Sequence, residues 1–200
     1  SERSRGLGDV YKRQIEGFGP MPGGIKNHPF NETKNLEKVI TKNTAAVIIE
    51  LVQGEAGIIK AKRDFIQKIK KLCKKNKALI IVDEVQSGAG RTGTLFAYEQ
   101  FGVKPDIMCC AKGIGGGIPI AAILTSSKIA ECMQLGSHGT TFGGNPLACA
   151  VAEQVMTLLS KKSLLNGVKR KEKIFLNELK SMNKDFKLSL IHISEPTRPL

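Results

Sequence analysis

Apolar residues in this chain fall into two rhythms. Asn43–Thr44 leads into an unbroken apolar run from Ala45 to Leu51, a second run spans Ala78 to Glu84, and a third opens at Pro105–Asp106 and ends at Lys112. Runs this short and continuous predict strands buried on both faces, and a fourth is expected in IPIAAILT, from Ile118 to Thr125. Between the first two runs the spacing changes to that of a helix. Phe65, Ile66, Ile69, Leu72 and Cys73 form one stripe, Lys68, Lys70, Lys71, Lys74 and Lys75 fill the rest, and the pattern predicts an amphipathic helix from about Arg63 to Asn76. A Gly-rich loop, Gly88 to Gly93, leads to a short helical piece near Phe96–Phe101. Asn145–Pro146 is a helix start, with Asn as cap and Pro in the first turn, followed by Leu147, Ala150, Val151, Val155 and Leu158 at helical spacing. Continuous apolar strands alternating with helices define an α/β class with a mostly parallel sheet and helices on both faces.

Charge changes this picture little. The formal net charge is +13, but the lysines lie on the helical stretches Lys60–Lys77 and Lys161–Lys187, as solvated faces without clustered Arg or interleaved aromatics. A nucleic-acid partner is therefore not expected. No run of about 18 apolar residues suggests a membrane span, and no charged-then-apolar leader suggests secretion. Five cysteines, Cys73, Cys109, Cys110, Cys132 and Cys149, form no C-x-x-C pair, which points to a reduced, cytoplasmic setting. His138 has no second ligand at metal spacing, so no metal site is expected. The basic balance differs at the ends: residues 1–14 hold three Arg and one Lys, residues 15–187 hold 23 Lys and three Arg, and residues 188–200 hold Arg198 and no Lys. GLGDVYKRQ and LSLIHISEPTRPL, which look like translated adapter sequence, together with the missing initiator Met, lead us to expect non-native ends on a fragment.

Chemistry gathers at the carboxyl ends of strands in parallel α/β sheets. One run here delivers Asp83 and the next delivers Lys112. A Lys at a buried strand end would be costly to keep charged and so is a candidate imine-forming amine. A carboxylate nearby can hold a pyridine nitrogen protonated, the pairing that pyridoxal-phosphate chemistry requires. An Asp–Lys pair alone is more often an ordinary structural ion pair. Gly115, Gly116 and Gly117 do not complete a dinucleotide loop, because Ile118 stands where the last Gly is needed.

Four segments decide between these readings. DEVQSGAGRTG (Asp83–Gly93), AKGIGGGIPIAA (Ala111–Ala122), HGTTFGGNPLACA (His138–Ala150) and QGEAG (Gln53–Gly57) strongly resemble the class III aminotransferases, in family order, across about residues 15–187. The resemblance implies the central part of the large domain of a pyridoxal-phosphate-dependent transferase of the aspartate-aminotransferase-like fold. It implies that Lys112 carries the cofactor as an imine and shuttles the substrate proton, and that Asp83 pairs with the pyridine nitrogen. Glu84 belongs to the same cofactor-binding segment. Val85 packs on the ring, Gln86 donates to its phenolic oxygen, and Thr141 binds the phosphate of the neighbouring subunit's cofactor. Glu55 and Thr140 lie near the substrate. These implications predict a homodimer with shared sites, using an amino acid and 2-oxoglutarate.

The pattern also departs from the family. Leu51 stands where Pro is usual, and no segment matches the upstream phosphate-binding turn, the ring-stacking aromatic or the downstream carboxylate-binding Arg. The expected organisation is residues 1–14 and 188–200 as non-native ends, 15–160 as part of the large domain, and 161–187 as the helical start of a small domain. Within the family the segments are most similar to the members acting on N-acetylornithine in arginine biosynthesis. Members acting on ornithine, succinylornithine or 4-aminobutyrate are alternatives, and a non-catalytic anion-binding fragment is the alternative of another class.

Overall fold

The computed structural model describes residues 23–186. Four strands form the main sheet: β1 (Ala46–Glu50), β4 (Leu79–Asp83), β5 (Ile107–Cys110) and β6 (Ala122–Thr125), in the order β1-β4-β5-β6. The first three are parallel, with Glu50 beside Asp83 and Asp83 beside Cys109, and β6 runs antiparallel to β5. A two-stranded antiparallel ribbon, β2 (Val52–Gln53) and β3 (Ile59–Lys60), follows β1 directly. Helices are α1 (Leu36–Val39), α2 (Arg63–Asn76), α3 (Ser127–Ala130), α4 (Pro146–Leu159) and α5 (Lys162–Phe186), with 3-10 turns at Ala97–Gln100 and Lys112–Gly115. The mostly parallel α/β sheet and the helix over Arg63–Asn76 agree with the sequence pattern.

Helix α2 buries Phe65, Ile66, Ile69 and Cys73 against Ile80, Val82 and Leu51, and Val47 and Ile49 pack on the same cluster. A second, smaller cluster joins Phe96, Met108, Cys110 and Ile114, with Met156 of α4 against it. Because side chains alternate along a strand, these residues mark one face of the sheet. The opposite face carries Ile48, 68% exposed, and Ile123, 70% exposed. Helices on both faces were expected; among the described residues this second face is open. All four β6 residues are exposed as well.

Two local readings need correction. Asn145 caps α4 as expected, its side chain accepting from the Ala148 amide at 2.9 Å. The buried stripe of α4 is displaced, however. Leu147 and Leu158 are exposed, whereas Ala148 is buried, and Met156 packs on the second cluster. Side-chain type cannot tell which apolar side of a helix has a partner, and the turn at Gly116, beside Val155 and Val151, selects this one. Of the paired cysteines Cys110 is buried but Cys109 is only half-buried, because it faces the open side.

Burial pushes the Cys73 thiol up to about 11. At pH 8 only about one Cys73 in a thousand would then be thiolate, the reactive form. Iodoacetamide is expected to label exposed Cys132 and Cys149 first, and to reach Cys73 only after denaturant unfolds α2. Peptide mass spectrometry reads the order directly, and early labelling of Cys73 would mean that α2 does not seal this core.

Candidate active site

The first apolar runs deliver three ionisable groups to one rim. In-register neighbours of a parallel sheet point the same way, so Glu50 and Asp83 stand side by side on the open face, with Cys109 beyond Asp83. The Asp83 carboxylate is braced locally, Oδ1 accepting from the Val85 amide at 2.9 Å. Burial, and then the charge of Asp83, push the Cys109 thiol up.

Lys112 follows β5 within the turn Lys112–Gly115. Its φ of 49° lies in the left-handed region, where a side chain other than Gly, Asn or Asp is unusual. Such backbone costs of order 1–3 kcal/mol and collects at functional sites. The turn is held by contact: a Cβ on Gly113 would lie 2.8 Å from Ala89 Cβ. Lys112 is exposed, not buried as a strand-end Lys was expected to be, because the face it borders is open. Its candidacy therefore rests on position and backbone conformation rather than on desolvation.

Glu55 and Gln86 meet, although 31 positions separate them, and Gln86 Nε2 donates to Glu55 Oε1. Gln86 lies so close over Gly54 that a Cβ there would stand 2.2 Å from Gln86 Oε1. Gln53 Oε1, in the same segment, is a buried acceptor without a donor. Val85 is half-buried beside these groups. Thr140 and Thr141 are exposed on the approach to α4, and Thr140 Oγ1 accepts from the Gly143 amide at 2.7 Å.

Glu84 is a correction. It is 1% exposed, and both carboxylate oxygens are occupied. Oε2 accepts from Ser87 Oγ at 2.7 Å and the Ala97 amide at 3.0 Å, and Oε1 from the Tyr98 amide at 2.8 Å. Following the last residue of β4, it turns away from Asp83 into the covered side and fastens the loop there. Sequence reasoning missed Glu50. The available signal was the one that exposed Asp83, an apolar run ending in an acid.

Burial raises the Glu50 carboxyl above the usual carboxylate range, and the charges of Asp83 and Glu55 add to this. The Gly54 amide, donating to Glu50 Oε2 at 3.3 Å, and the Lys112 charge pull the other way. Among the described residues no His, Cys, Asp and Glu group could hold a metal ion, and no helix is long and apolar enough to cross a membrane. The residues present fit pyridoxal phosphate: a primary amine, a braced carboxylate and a side-chain amide lie at one open rim.

A mostly parallel sheet with an amine and a carboxylate after neighbouring strands fits a cofactor-dependent α/β enzyme. The chain belongs to the class III aminotransferase family, whose model matches residues 12–192. That match reaches a few residues into both ends expected to be non-native, which lie outside the described residues. The chain is 49% identical over 171 residues to the acetylornithine/succinyldiaminopimelate aminotransferase of Buchnera aphidicola, covering 86% of this chain and 42% of that protein. It is also 49% identical to the succinylornithine transaminase of Yersinia pseudotuberculosis, covering 83% of this chain and 40% of the relative. The ornithine aminotransferase of Toxoplasma gondii, in which pyridoxal phosphate partly occupies the active site, superposes with a TM-score of 0.77 at 36% identity, over 82% of this chain and 39% of that one. This chain thus spans about two fifths of the length of these relatives.

Proposed function

We propose that this chain supplies the lysine and acid half of an aminotransferase site that moves an amino group from N-acetylornithine to 2-oxoglutarate, with pyridoxal phosphate as cofactor. The observation that carries the reading is the placing of Asp83 and Lys112 after neighbouring strands on one open rim. The 49% identity to an acetylornithine-type enzyme supports the substrate, and the equal identity to a succinylornithine enzyme makes N-succinylornithine the competing donor. Bound pyridoxal phosphate supplies an electron sink for negative charge at the substrate Cα. Lys112 Nζ anchors the cofactor and moves the proton at that carbon. Asp83 keeps the proton on the ring nitrogen, and the Val85 amide fixes the carboxylate for this task. Val85 packs on the ring, and Gln86, steered by Glu55, donates to its phenolic oxygen.

Exposed Thr140 and Thr141 support the further reading that this loop serves a second subunit's site in a homodimer, with Thr141 on the phosphate and Thr140 near the substrate. On this reading residues 15–160 form part of the large domain and α5 begins the small one. Free cysteines throughout are consistent with a cytoplasmic enzyme.

The test is an assay of the chain completed to the length of its relatives, with 2-oxoglutarate and a panel of donors. Highest kcat/KM is expected for N-acetylornithine, with 4-aminobutyrate at least tenfold lower, since each tenfold needs only about 1.4 kcal/mol of differential binding. Preference for N-succinylornithine would reassign the substrate. Absence of an absorbance band that is shifted from that of free pyridoxal phosphate and stays with the protein after desalting would remove the cofactor reading and leave anion binding.

A further inference from the structure

Four residues of the site, Asp83, Val85, Gln86 and Lys112, follow from the ends of β4 and β5, but the turn that carries Glu55 belongs to neither. It follows the short strand β2, closes through Gly57 and Ile58 amides on the Gly54 carbonyl, and returns through β3. The hydrogen bond between Glu50 Oε2 and the Gly54 amide ties this turn to the end of β1. Gly54 in turn lies under the Gln86 side chain, and Glu55 receives the Gln86 amide. We propose that Glu50 is a positioning residue for the substrate side of this site: by gripping the Gly54 amide it sets the height of the Gly54–Gly57 turn, and so where Glu55 and Gln86 meet.

The inference rests on the aminotransferase reading and adds a residue that the family segments leave unassigned. Three features converge on it. Glu50 stands beside Asp83 on the adjacent strand and feels the charges of Asp83, Glu55 and Lys112, so it lies among the charged groups of the rim. Among the described residues Glu50 alone offers a side-chain acceptor to the Gly54 amide, and a charged acceptor makes that bond worth more than a neutral one. Finally, a carboxyl held above the usual range changes charge at mildly acid pH, where the grip on Gly54 weakens.

Hydrogen exchange in the cofactor-free protein, completed to the length of its relatives, tests the grip apart from any activity. The Gly54–Gly57 amides are expected to lose protection as pH falls through the Glu50 transition, after correction for intrinsic exchange. In Glu50→Gln, which keeps an acceptor but cannot titrate, protection is expected to be independent of pH. In Glu50→Ala it is expected to be lost at all pH values. The global melting temperature of Glu50→Gln should not fall at neutral pH, since the variant removes a carboxyl whose ionisation opposes folding. Sign and window agree: the folded state holds its proton more tightly, so ionisation costs stability from the ordinary carboxylate value upward.

With cofactor bound, Glu50→Ala is expected to raise the donor KM about tenfold, the loss of one charge-assisted hydrogen bond, with kcat within about threefold. Glu50→Gln should hold KM within about twofold. Unchanged exchange at Gly54–Gly57 in Glu50→Ala overturns the proposal, as does a loss confined to kcat. If Glu50→Ala unfolds, the pH-dependence of exchange in the parent and in Glu50→Gln decides alone, and matching profiles overturn it. Failure of the aminotransferase reading would show instead as absent turnover with the exchange pattern intact.

Discussion

Replacing Lys112 by Ala in the chain completed to the length of its relatives is expected to leave an enzyme that still takes up pyridoxal phosphate but is nearly dead. Positioned proton transfer alone is typically worth ~10² to 10⁴ in rate, and the proposed anchor of the cofactor is lost with it. Asp83→Asn should fail differently. The amide keeps the shape and can still accept from the Val85 amide, so the rim should stay intact and cofactor should bind. The charge that holds the ring nitrogen protonated is gone, and turnover should fall steeply. An analogue of the cofactor with a permanently charged N-methylated ring is expected to recover part of the Asp83→Asn loss and none of the Lys112→Ala loss. Steady-state rates with the two cofactors read both arms, and an equal response of both variants would show the roles to be misassigned.

The second large effect is on stability, at Glu84. Its carboxylate is the acceptor for Ser87 Oγ and for the Ala97 and Tyr98 amides, in a place 1% exposed. Glu84→Ala strands three buried donors, each costing roughly 1–3 kcal/mol when unpaired, so a loss of at least about 3 kcal/mol is expected. Glu84→Gln should recover only a part, because its NH2 end would face a donor. Urea unfolding at fixed protein concentration measures this. A loss below about 1 kcal/mol for Glu84→Ala would mean that water reaches these donors and that the loop is not fastened there.

The strands and α2 were legible because unbroken apolar runs and a helical stripe are local signals. The placing of Asp83 and Lys112 after neighbouring strands was legible for the same reason, since each is a charge that ends an apolar run. What the sequence concealed depends on which surface meets which. The end of β4 sends Glu84 to the covered side and Asp83 to the open one, but adjacent letters D and E do not say which side is which. Leu147 and Leu158 look like core until the partner of α4 is known. The contact of Gln86 with Glu55, and the grip of Glu50 on Gly54, depend on turn geometry rather than on residue type.

The division of the core into two clusters carries a consequence for how the protein is made. Every buried member of the larger cluster lies between Leu36 and Val103. A nascent chain that has released Val103 from the ribosome already owns a complete hydrophobic nucleus, whose closing loops are short and whose entropic cost is correspondingly low. Asp83 and Glu50 would thus be set in place co-translationally. Lys112 joins them only when the later strand β5 docks and Met156 arrives to close the second cluster. The approach of Lys112 to Asp83 is therefore expected to follow the first collapse, and slow-translating stretches between these two points would widen the interval.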